Sequence, residues 1–139
     1  MEAPFAITRI VFGDEGFVEI SNLGAEPADP AGFRGCQFPN YLPVPAGELQ
    51  PGEAVRIEGS LFGGLDSADG EVALYSEPEW EDPNAMVSYV QWGGGEHKRS
   101  PVAAAAGIWG SGAAVNAAGA SELRTAAASQ SPDGWDVVR

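Results

Sequence analysis

His97 is the single histidine of this chain, and it lies in Gly93-Gly94-Gly95-Glu96-His97-Lys98-Arg99 beside the only lysine. An imidazole that titrates near neutrality suits a general base or an anion-recognition loop. A base also needs a nucleophile and an orienting group, and any Ser-His-Asp or Cys-His mechanism would run through this one ring. Ser100 and Glu96 are neighbours only along the chain. A small hydrolase built on His97 therefore ranks last, and the expected role of His97 and Arg99 is structural. Arg99, with five donors in a rigid fork, is expected to hold loop carbonyls or a carboxylate and so orient residues 94–107. The chain is expected not to be an enzyme.

Two acidic stretches offer other chemistry. Asp66-Ser67-Ala68-Asp69-Gly70-Glu71 places Asp66, Asp69 and Glu71 where a loop could surround calcium with hard oxygens. It lacks the alternating ligands of an EF-hand, so a solvated turn competes with a metal site, and no other cofactor is expected. Glu77-Pro78-Glu79-Trp80-Glu81-Asp82 sets an aromatic ring in a polar loop. Trp80 could stack on a sugar face while Glu79 and Asp82 accept its hydroxyls. Trp92, Trp109 and Trp135 read as core or core-edge residues. Cys36 has no partner thiol, so it forms no internal disulfide and reads as a small buried apolar residue.

The charge arithmetic over 139 residues, 7 basic against 20 acidic, is −13. Nucleic acid and anionic membranes repel such a surface, because phosphate binding needs clustered cations. Residues 100–121 carry no charge, but their Ala and Gly content is too weakly apolar for a transmembrane segment. Met1-Glu2-Ala3-Pro4 lacks the basic and apolar regions of a signal peptide. The expectation is a cytoplasmic protein if Met1 is the natural start, and a secreted or cell-surface domain if the chain is an excised mature piece.

The elements that must position these groups read as short β-runs between Gly, Pro, Asn and Asp. Residues 5–12 and 17–22 form a hairpin; 32–38, 54–58, 71–76 and 86–92 read as further strands. Pro51-Gly52 fits a type II turn before 54–58. Alternation with polar residues places Ile10, Val18, Ile20, Val55, Ile57, Val72, Leu74 and Val90 in a core between two sheets. One short helix is expected over 100–107, with Ser100 as its cap, Pro101 in its first turn and Gly107 at its end. Beyond Gly107 a loop is expected, with Leu123, Trp135 and Val137 returning to the core. The fold class is all-β, a single antiparallel sandwich over residues 1–139.

Several phrases in order resemble the lamin tail domain family. Ile7-Thr8-Arg9-Ile10 and Phe17-Val18-Glu19-Ile20-Ser21-Asn22-Leu23-Gly24 are similar to its first two strands. Pro27-Ala28-Asp29-Pro30-Ala31-Gly32-Phe33 and Leu49-Gln50-Pro51-Gly52-Glu53 are similar to its next two phrases, with Pro30 and Phe33 departing from the usual Leu and Trp. Glu71-Val72-Ala73-Leu74-Tyr75 and Val87-Ser88-Tyr89-Val90-Gln91-Trp92-Gly93 resemble its final hairpin. The resemblance spans residues 7–93 and leaves 94–139 as a C-terminal extension packed on the module. It implies an immunoglobulin-like β-sandwich of bacterial type with no catalytic residues to carry over. It further implies an interaction or cell-envelope module that binds a protein partner through surface loops. The alternative is an acidic domain binding carbohydrate or calcium.

Overall fold

In the computed structural model, which describes residues 4–127 and 130–139, alternating side chains build two antiparallel sheets face to face. Met1, Glu2 and Ala3, read above for a leader, lie outside the described residues. The first sheet runs in the order β5 (Ala54–Glu58), β2 (Phe17–Asn22), β1 (Phe5–Val11), β8 (Glu122–Arg124), β9 (Asp136–Val138). The second runs β4 (Asn40–Pro43), β3 (Arg34–Gln37), β6 (Gly70–Tyr75), β7 (Met86–Trp92). The β1–β2 hairpin pairs Ile10 with Val18, and both side chains point inward. From β2 the chain crosses to β3 and β4, then returns so that β5 pairs with β2, while β6 pairs with β3. These crossings bury both inner faces, because each sheet is apolar on alternate residues.

Seven of the eight expected core residues are buried: Ile10, Val18, Ile20, Ile57, Val72, Leu74 and Val90. Val55 is only half-buried, since β5 is the edge of its sheet and has a neighbour on one side alone. Trp92, Trp109 and Trp135 are buried, as is Cys36. Asn22 ends β2 with its side chain: its Nδ2 donates to the carbonyls of Glu26 and Leu49, and its Oδ1 accepts from Gly24 N–H. That one residue ties the loop after β2 to the turn before β5.

The sequence expectation departs from the structure in three places. Strand β4 was not anticipated; preceded by Pro39 and ending in Pro43, it draws its order from pairing with β3. The helix α1 spans Ser100–Ala106 with Gly107 as its left-handed cap, but Arg99 occupies the N-cap and no side chain caps it. Ser100 is already helical and buried, and its hydroxyl donates to the Gly95 carbonyl. The segment beyond Gly107 is not all loop: β8 and β9 extend the first sheet past β1, with Leu123 fully buried, Trp135 buried and Val137 half-buried. Their three-residue strands carry too short a pattern to read alone. Among the described residues, no helix is long and apolar enough to cross a membrane.

Candidate functional site

The pleat of the second sheet sends Trp92, Val90, Val72 and Leu74 into the sandwich and their neighbours outward. The outward residues are Cys36, Tyr41, Glu71, Ala73, Tyr75, Tyr89 and Gln91. An outer face normally meets water, yet Glu71 is 4% exposed and Gln91 is fully buried. Residues 93–117 lie over that face. Val115 forms a parallel bridge with Trp92, and the Trp109 ring meets Tyr89 edge-on at 6.0 Å. Two glycines permit this close approach. Gly93 has φ +80°, and a Cβ on Gly95 would overlap the Gly112 carbonyl.

Buried polar groups must be paired, and here they pair with one another. Glu71 Oε1 accepts from the Tyr89 hydroxyl at 2.8 Å and from the Arg99 backbone N–H at 3.1 Å. Gln91 Nε2 donates to the Ala113 carbonyl at 2.7 Å and the Gly95 carbonyl at 3.1 Å. Those two acceptors fix the amide orientation and leave Gln91 Oε1 facing His97 Nδ1 at 2.9 Å. The other ring nitrogen, His97 Nε2, lies 3.0 Å from Asp69 Oδ1, which also accepts from Gly94 N–H. Both ring nitrogens thus face acceptors: the imidazolium satisfies both, and either neutral tautomer satisfies one.

Arg99 is 6% exposed. Its guanidinium donates to the Tyr41 hydroxyl and lies over the Tyr41 and Phe38 rings, 5.7 and 5.4 Å from their centroids. Burial depresses its basicity, but the bond to Tyr41 and the neighbouring Tyr41 and Tyr75 oxygens outweigh it and hold the guanidinium charged. Burial, reinforced by Glu71, pushes the Cys36 thiol up to about 12. Burial and the Glu71 carboxylate likewise raise the Tyr89 phenol well above its ordinary range. These groups resist ionisation, which suits a packed layer more than proton transfer.

The structure therefore brings together several residues read separately in the sequence. His97 meets Asp69, and the Arg99 backbone meets Glu71; the Arg99 side chain has a tyrosine as partner where a carbonyl or carboxylate was expected. Asp66, Asp69 and Glu71 do not converge on one point. Asp66 caps Ala68 N–H and lines a shallow groove with Phe12, Asp14, Ser60 and Leu65, while the other two face His97 and Tyr89. Among the described residues no three His, Cys, Asp or Glu side chains converge as a metal centre would require.

Trp80 is half-buried. It stacks on Tyr41 at 4.1 Å and 22°, meets Tyr75 edge-on, and its carbonyl accepts from the Tyr75 hydroxyl at 2.8 Å. Glu79 and Asp82 are exposed, and Asp82 Oδ1 caps Asn84 N–H within the loop. Gln91, Tyr89 and Tyr41 were missed as site residues. Tyr89 and Gln91 alternate with Val90 and Trp92 on an apolar strand, a pattern that reads as one wet face until the covering segment is seen. No protein-family model, curated protein or solved structure matches this chain.

Proposed function

We propose that the chain is a non-catalytic, lamin-tail-like interaction module of a bacterial cell surface that engages a protein partner through its exposed loops. One observation carries this reading: the polar groups able to do chemistry bind one another and the 93–117 backbone. His97, Asp69, Glu71, Tyr89, Gln91 and Arg99 form one packed layer in place of an open cleft. The pairing order β5-β2-β1 opposite β4-β3-β6-β7 supports the immunoglobulin-like relationship, since it matches an A-B-E sheet against C′-C-F-G. In such sandwiches recognition falls to loops held by a rigid frame.

The test is residue-resolved crosslinking of the purified protein to envelope extracts, followed by purification of the captured partner and reconstitution. Contacts confined to the exposed loops of the parent and retained in His97→Ala support the module. Turnover in a hydrolase screen that disappears in His97→Ala would replace it with an enzyme.

A second reading is favoured by Trp80, whose ring is partly open beside exposed Glu79, Glu81 and Asp82. It is glycan binding, with an aromatic platform already ordered by Tyr41. Quenching of Trp80 fluorescence by an oligosaccharide, lost in Trp80→Ala, supports it. A calcium titration that leaves the melting temperature unchanged removes the metal from this alternative.

A further inference from the structure

Phe38 is the most exposed aromatic ring at the β3–β4 turn, 43% open to solvent. Lys98 Nζ lies 5.3 Å from its centroid and Arg99 Cζ 5.4 Å, so two cations flank one exposed ring. Arg9, Arg56 and Arg124 pair with Glu19 or Glu122, while Arg34 and Arg139 donate to the carbonyls of Phe33 and Asn116. Lys98 and Arg99 pair with no carboxylate among the described residues, although the chain has 20 acidic groups. Arg99 Nε is moreover buried without a hydrogen-bond partner.

We infer that Phe38, Lys98 and Arg99 form a docking point for an acidic segment of a protein partner, which places a carboxylate between the two cations and an apolar side chain on the Phe38 ring. This deepens the protein-binding reading above and rests on it. Charge complementarity selects the occupant: the patch is cationic at contact range, and carboxylate is the group both cations lack. The overall charge of −13 opposes approach at distance, but at about 0.15 M salt that field is screened within roughly 8 Å. Two adjacent cations are too few to track a nucleic-acid backbone.

The patch is also held in advance. The Arg99 backbone is bonded to Glu71, its side chain to Tyr41, and Tyr41 is stacked on Trp80. Binding then orders little that is not already ordered, which is how a small aromatic–arginine centre can dominate an interface.

The experiment is fluorescence anisotropy at 0.15 M salt with a labelled, end-blocked peptide of glutamates around two central leucines. Control peptides replace every glutamate by glutamine, or every leucine by serine. Saturable binding is expected for the parent, weaker by tenfold or more with either control peptide. Lys98→Glu and Phe38→Ser, both at exposed positions, are each expected to weaken it at least tenfold with an unchanged melting temperature. Leu61→Ser, an exposed apolar position, is expected to bind like the parent.

No binding by the parent overturns the inference, as does equal binding by Lys98→Glu and Phe38→Ser. Sedimentation of the protein alone is run alongside: self-association abolished by Lys98→Glu makes a second copy the occupant and also overturns it. A partner reconstituted by crosslinking elsewhere on the loops would keep the module reading while this patch fails, so the two failures are distinguishable.

Discussion

Replacing Gln91 should separate a packed polar layer from a working site. In Gln91→Leu the four bonds at 2.7, 2.9, 3.1 and 3.1 Å are lost. Most of the partners keep another bond: Ala113 O still accepts from Trp109 Nε1, Gly95 O from Ser100, and the Tyr89 hydroxyl still reaches Glu71. His97 is stranded at Nδ1 and loses the long bond of its backbone N–H. At about 1 kcal/mol net per bond plus roughly 1–3 kcal/mol for the stranded group, less the apolar gain of leucine, the cost is about 2–4 kcal/mol.

Gln91→Glu should cost more at pH 7. It aims a second carboxylate oxygen at two carbonyls and buries it near Glu71. Burial beside a like charge raises a carboxyl's folded-state pKa, so the penalty is present above that pKa and recedes as pH falls and the group protonates. The assay is urea unfolding followed by tryptophan fluorescence at pH 7 and pH 4.5, with amide exchange across residues 93–113. The expected order at pH 7 is parent, Gln91→Leu, Gln91→Glu, with Gln91→Glu gaining on Gln91→Leu at pH 4.5. Gln91→Leu within about 0.5 kcal/mol of the parent would refute the reasoning, because surface substitutions stay in that range.

Glu122 sits between Arg124 and Arg9 at 2.7 and 2.5 Å, and their bonds hold its carboxyl down at about 2. A depressed folded-state pKa gives stability that is full above the unfolded value near 4.5 and lost as pH falls toward 2. The loss is at most about 3 kcal/mol and smaller in practice, since Arg124 is more than half exposed; acid unfolding of Glu122→Gln should lack it. Gly95→Ala should destabilise by about 2 kcal/mol or more through overlap with Gly112, whereas Gly94→Ala, with only ordinary contacts near it, should cost under about 1 kcal/mol in the same denaturation assay. Arg99→Ala should lower the unfolding free energy by about 1–3 kcal/mol through the lost Tyr41 bond and ring contacts, and Lys98→Ala by less than about 0.5 kcal/mol. Cys36, buried and with its thiol at about 12, should react with a disulfide reagent only as fast as the protein unfolds.

The sequence by itself determined the sandwich. Period-2 alternation in Phe17–Asn22, Ala54–Glu58 and Met86–Trp92 is a local property, and it specifies both the strand and its buried face. Gly107 as a helix end and residue 22 as the end of a strand were legible for the same reason, since each follows from local backbone, whereas the Asn22 bond to the Leu49 carbonyl was not. Gln91 and Glu71 were not legible as partners of residues 93–117, because a polar residue opposite a buried one is what any solvated face requires. Only tertiary structure closed that face, bringing Gly95, Arg99 and Ala113 onto β6 and β7. Strand β4 and the β8–β9 pair belong to the same class. Three or four residues carry too little pattern to declare themselves; β4 takes its order from backbone bonds to β3 just before it, and β8 from bonds to β1, distant in the chain. Local periodicity writes the frame, while burial of a polar group depends on what the rest of the chain lays over it.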